Sequence, residues 1–143
     1  GLSAPLISQP RVMIRPLPRP ERAKVVRYHV AGEAQVNTDG MRRQRIIKAC
    51  EVGDELALVR EPNNPYDRDA VAIYTLSGQQ VGYIPAEIAS AVAESLDTGV
   101  QAPAYIAKIL GGTRDKPNLG LVIDVHWPAP ERPHRRRAVR VSD

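Results

Sequence analysis

About six short runs of alternating apolar residues, each closed within a few positions by Gly, Pro or Asn, restrict this chain to a small sheet that curls on itself. The runs are Val25–Val30 (with a further extended piece at Glu33–Val36), Glu55–Arg60, Ala70–Tyr74, Gln80–Ile84, Gln101–Leu110 and Leu119–Val125. Along Glu55–Arg60, Leu56 and Leu58 point one way and Ala57 and Val59 the other. Val81 and Tyr83 share a face in the next hairpin, whose turn is Ser77-Gly78-Gln79. In Gln101–Leu110, the set Ala102, Ala104, Ile106 and Lys108 stands against Pro103, Tyr105, Ala107 and Ile109. In the last run Leu121, Ile123 and Val125 point inward, and Trp127 packs at an edge or ends the domain. Two helices interrupt the runs. Met41–Cys50 follows Thr38 or Asp39 as a cap, and a second helix begins at Pro85, with Ile84, Ile88, Val92 and Leu96 as its apolar stripe and Gly99 as its stop. Such short strands and frequent turns read as a small closed barrel or Greek-key sheet that the helices plug or cover.

The core of such a fold is aliphatic here, because the chain has no Phe, one Trp and five Tyr among 143 residues. The single cysteine, Cys50, excludes an intramolecular disulfide, and beside Ile46 and Ile47 it reads as a buried structural thiol. No apolar run approaches the ~20 residues of a membrane span, and Leu2–Ile14 is too broken by Pro, Gln and Arg for a signal peptide. Gly1 in place of Met suggests a trimmed chain.

Charge divides the chain. Residues 1–24 carry five Lys/Arg against one Glu, and residues 128–143 carry five Arg against two acids, whereas residues 25–127 are net acidic. We therefore expect a basic, Pro/Arg-rich, flexible N-terminal arm (1–24), a folded domain (25–127) and a basic flexible tail (128–143). The tails either attract phosphates or are simply solvated. The cations Arg42, Arg43, Arg45 and Lys48 on the first helix have the same two readings, a solvated face or a phosphate-facing patch.

The densest run of turn formers is Arg60–Asp69, Arg-Glu-Pro-Asn-Asn-Pro-Tyr-Asp-Arg-Asp. Two prolines and two asparagines stiffen a loop that presents Tyr66 and Asp67, and rigidly held loops are where binding residues tend to lie. A tyrosine held there can stack a base, and an ionised Asp can accept a hydrogen bond from a sugar hydroxyl. Alternatively, Tyr66 packs on the barrel and Asp67 closes an Asx-type turn. Asp67 and Asp69 are the pair a metal-dependent nuclease would use, although acids so spaced more often cap backbone amides. The three histidines and Cys50 lack zinc spacing, and phosphate-loop, dinucleotide and nucleophile-elbow motifs are missing.

The run Glu61–Ile73, together with Val81-Gly82-Tyr83-Ile84-Pro85, His29-Val30-Ala31-Gly32 and the intervening Asp54–Arg60, resembles the HIRAN domain family over about residues 27–126. That resemblance implies a mainly β fold with two helices, an OB-like or SH3-like β-barrel of about six strands. It also implies non-catalytic capture of single-stranded DNA at a 3′ end bearing a free hydroxyl, in repair or replication-fork processing. Tyr66 would then stack a base, Asp67 accept the 3′-hydroxyl, Asn64 order the pocket or touch the terminal nucleotide, and Tyr83 donate near a phosphate. The family pattern has an Arg-Tyr pair where this chain has Ala34 and Gln35, and a lysine where it has Ala86. Arg60, Arg68, Lys108 or the helix cations are the candidates to compensate. No cofactor and no metal are implied. The expected partners are single-stranded DNA or its 3′ ends, with a helicase or other repair or phage protein as a further one. The expected setting is the cytoplasm of a bacterium or phage host. A protein-interaction module on the same barrel is the rival reading.

Overall fold

In the computed structural model, which describes residues 12–130, six antiparallel strands form one sheet in the order β1-β6-β5-β2-β3-β4. The strands are β1 (Ala23–His29), β2 (Glu55–Arg60), β3 (Val71–Thr75), β4 (Gln80–Tyr83), β5 (Ala104–Leu110) and β6 (Gly120–Pro128). Helix α1 (Arg43–Lys48) lies between β1 and β2, and α2 (Ala86–Asp97) between β4 and β5. The fold is mainly β with two helices and OB-like. The word barrel needs loosening, because the sheet stays open. Its outer strands β1 and β4 meet only at an isolated bridge just past β1, where Ala31 and Tyr83 exchange both backbone hydrogen bonds (2.8 and 2.9 Å).

The aliphatic core is as expected. Ile47, Leu56, Ile73, Ile106, Leu121 and Ile123 are all essentially inaccessible, and Ala89, Val92 and Ala93 of α2 close one side. Trp127 is half-buried against this core and its Nε1 donates to the Tyr28 hydroxyl (3.3 Å). Cys50 is half-buried, and burial raises its thiol pKa, with Asp54 adding to the effect.

Several local expectations are corrected. Glu33–Val36 is not a strand: Gly32 adopts φ +78° and Gln35 N donates back to Gly32 O, so the chain turns. Asp39 caps a turn, accepting from Met41 N (2.9 Å), and α1 starts later, with no side-chain cap on Arg42. Pro85 is the N-cap of α2 and lies just outside the helix. Two β-bulges break the alternation. In the β3–β4 ladder Ile73 faces Gly82 and Tyr74 faces Gln80, so Val81 is the extra residue. Val81 therefore joins the core while Tyr83 stands half-exposed on the other face. In the β5–β6 ladder Ala107 is skipped between Ile106 and Lys108, which turns Lys108 away from the face of Ile106.

Among the expected arm residues, 1–11 lie outside the described region, as do 131–143 of the tail. The described part of the arm runs along the domain: Ile14 N donates to Leu76 O, Leu17 N to Glu55 Oε2 (2.9 Å), and the Arg19 guanidinium lies 4.2 Å from the Tyr105 ring centre.

Candidate nucleic-acid interface

The seam where Ala31 meets Tyr83 opens into a groove of about 950 Å³. One wall is the turn after β1, with Ala31, Gly32 and Gln35; the other is the β2–β3 loop, with Glu61, Asn64, Tyr66 and Asp67. Tyr74, Tyr83 and Arg43 also line it.

Asn64 organises the loop wall. Its Oδ1 accepts from Tyr66 N (2.9 Å) and Asp67 N (3.1 Å), and its Nδ2 donates to Glu61 Oε1 (2.9 Å). One side chain thus fixes the backbone of both residues after it. Asp67 Oδ1 accepts from Asp69 N (2.9 Å), so the Asx-turn reading of Asp67 is correct as geometry. Tyr66 does not pack on the sheet: it is 95% exposed, a bare ring on a pinned backbone.

Glu61 Oε1 also accepts from the Tyr83 hydroxyl (2.8 Å), so the phenol expected to face a phosphate already has an acceptor. Partial burial, and then the Glu61 carboxylate, raise the Tyr83 pKa, against the opposing effects of Gln80 and the Arg43 charge. The hydroxyl therefore stays a donor at neutral pH. Tyr74 is shifted the same way, first by burial and then by Glu61.

Arg60 lines the groove but acts as a strut. Its Nε and Nη2 reach the Asp97 carboxylate (2.8 and 3.2 Å), and Nη1 donates to Arg68 O and Ala70 O. This pairing lowers the Asp97 pKa. Arg68 is exposed outside the groove, and Lys108 sits on β5 away from it. Of the positions where cations or a ring were missing, Gln35 and Ala86 line the groove and Ala34 does not.

Arg43 does not share the solvent-facing side of the helix with Arg42, Arg45 and Lys48, contrary to the sequence expectation. The residue is only 5% exposed. Positions 43, 46, 47 and 50 share one helical face, so Arg43 belongs with Ile46 and Ile47; the spacing alone carried that signal. Glu61 and Tyr74 were also not singled out, since their place depends on strand pairing.

Replacing Asn64 by Asp keeps the acceptor for Tyr66 and Asp67 but removes the donor to Glu61 and sets two carboxylates together. We expect N64D to lose about 1–3 kcal/mol at pH 7. One carboxyl pKa is then raised in the folded state, so folding takes up a proton and the deficit shrinks as pH falls. Urea unfolding of both proteins at pH 7 and near pH 4.5 checks this; an unchanged difference would contradict the Asn64–Glu61 contact.

An open OB-like sheet with a stiff loop flanking its seam is the class of domain that this geometry defines. Residues 31–109 match the family model of the HIRAN domain, and the chain belongs to that family. A mouse helicase-like transcription factor is 55% identical over 42 residues, which cover 29% of this chain and 4% of that protein. The chain thus spans a small part of that relative. The HIRAN domain of human HLTF aligns with TM-score 0.52 at 24% identity, covering 73% of this chain and 76% of that one. A Lactobacillus plantarum protein aligns with TM-score 0.54 at 22% identity, covering 73% and 99%. Both share the fold.

Proposed function

We propose that the groove binds single-stranded DNA at a 3′ end without catalysing a reaction on it. The carrying observation is Tyr66, whose ring is 95% exposed although Asn64 fixes its backbone. A ring so held stacks on a base with little ordering cost. Beside it, Asp67 repels a terminal phosphate but accepts a hydroxyl. Family membership supports the same reading, as does the placement of both residues on one groove wall. Work on DNA ends in repair or fork processing, alongside a helicase-like partner and in the cytoplasm, completes the proposal.

Titration of a labelled strand of about ten nucleotides ending in 3′-hydroxyl, against the same strand ending in 3′-phosphate, tests it. The hydroxyl end should bind more tightly, and D67N should narrow the difference. Y66A should weaken binding by about 1–3 kcal/mol, roughly 5- to 150-fold, with an unchanged melting temperature. Equal affinity for both ends sinks end recognition. Cleavage that appears only with Mg²⁺ would favour the nuclease. A second reading, a protein-binding groove, is favoured by the carboxylates of Glu61 and Asp67 and by the engagement of Arg60 with Asp97. No DNA binding by the wild type, or no effect of Y66A, would select it.

A further inference from the structure

Arg43 is a cation in the wrong place for a cation. It is 95% buried, forms part of the groove wall, and among the described residues no carboxylate lies within 4.0 Å of it. Its partners are neutral: Nε donates to Asn37 Oδ1 (2.7 Å) and Nη1 to Gly32 O (2.8 Å), and the guanidinium carbon lies 5.5 Å from the Tyr83 ring centre. A guanidinium carries five N–H donors. Two are bonded here, and among the described residues Nη2 has no acceptor. Arginine cannot shed its charge, so burial without a counter-ion is costly unless something else supplies the negative charge.

The surroundings narrow what that is. Gly32 lies against the guanidinium: a Cβ there would stand 3.1 Å from Nη1. The hydrogen bonds to Asn37 and Gly32 fix the fork, and Asn37 is itself anchored through Nδ2 to Gln80 O. The fork is therefore preorganised, and planar guanidinium forks fit phosphate and carboxylate oxygens. The remaining ionised groups of the groove, Glu61 and Asp67, are acidic, and Arg60 is already paired. Among the described residues, an anion entering this groove thus has one favourable position.

We propose that Arg43 is the anion-binding residue of the groove and takes a phosphate oxygen of the strand whose end lies at Tyr66 and Asp67. This rests on the DNA reading for the source of the phosphate, but not for the anion site itself.

The test compares wild type, R43Q and R45Q, the last removing an exposed cation of the same helix. Each is melted with and without inorganic phosphate at matched ionic strength, and each is titrated with the 3′-hydroxyl strand over a range of salt. Phosphate should raise the wild-type melting temperature, leave R43Q unmoved, and act on R45Q as on wild type. DNA affinity of R43Q should fall about tenfold, and its log–log salt slope by about one. A wild type that ignores phosphate overturns the proposal, as does an R43Q that keeps its phosphate response and its salt slope. Phosphate stabilisation without DNA binding would keep the anion site and reject the DNA reading. Should R43Q fail to fold, the wild type decides: the Arg43 guanidinium proton resonances shift on adding phosphate, or they do not and the site is refuted.

Discussion

Gly82→Ala is expected to destabilise the protein by about 3–5 kcal/mol, although it adds one methyl group. A Cβ on Gly82 would lie 2.5 Å from Ala31 O and 2.5 Å from Val30 Cγ1. Overpacking of this kind costs about 1–3 kcal/mol where neighbours yield. Here one neighbour is a backbone oxygen accepting from Tyr83 N, and it cannot rotate away. Relief requires Ala31 to retreat, which breaks both bridge hydrogen bonds, at about 1 kcal/mol each. Against a typical total of about 5–15 kcal/mol, that is a large fraction, and a fall in melting temperature of order 10–20 °C should follow. The seam also forms the groove, with Ala31 and Gly32 on one side and Tyr83 on the other. G82A should therefore weaken DNA binding at temperatures where it is still folded. Thermal melts followed by circular dichroism decide the first part; a loss under about 1 kcal/mol would mean that the seam is pliable.

The same glycine shows what the sequence could reveal. Gly82 lies in the Val81-Gly82-Tyr83-Ile84-Pro85 block that carries the family resemblance, yet nothing local in the sequence says why a side chain is forbidden there. The reason is Ala31, fifty-one positions earlier, and only tertiary structure brings the two together. Strands were legible where alternation met turn residues, as in Glu55–Arg60 and the hairpin after Ala70. Alternation misled at Val81 and Ala107, because a bulge inserts one residue and reverses every side chain beyond it. Lys108 leaves the face of Ile106 for that reason. The loop Glu61–Ala70 was the most legible part of the site, since its bonds are local: Asn64 reaches two and three residues ahead. Arg60 was illegible in the opposite way, as its acid, Asp97, lies on a helix thirty-seven residues on. Arg43 could have been found from spacing, because it shares a face with Ile46 and Ile47.

Ile47→Ala is expected to cost about 2–5 kcal/mol, the range for truncating a buried isoleucine, and to loosen α1 ahead of the sheet. Ile47 is fully inaccessible. Helix α1 has six residues, no side-chain cap and no acid in its first turn. It is too short to persist on its own propensity, and Arg42, Arg45 and Lys48 repel one another along it. What holds it is burial of Ile46 and Ile47, the tether of Arg43 to Asn37 and Gly32, and the Gln44 bonds to Glu33 and Leu119. Removing the Ile47 side chain takes away the largest of these. Amide exchange should then quicken most across residues 46–50, while Ile73 and Ile123 in the sheet lose only the global difference. Because α1 also carries Arg43 to the groove, I47A should blunt the phosphate response along with the helix protection. An Ile73→Ala variant of similar cost serves as the comparison, since its cavity lies in the sheet and leaves the α1 tethers intact. Equal loss of protection in α1 and sheet for I47A would show that the helix melts only with the whole domain. The Arg43 position would then be as durable as the fold.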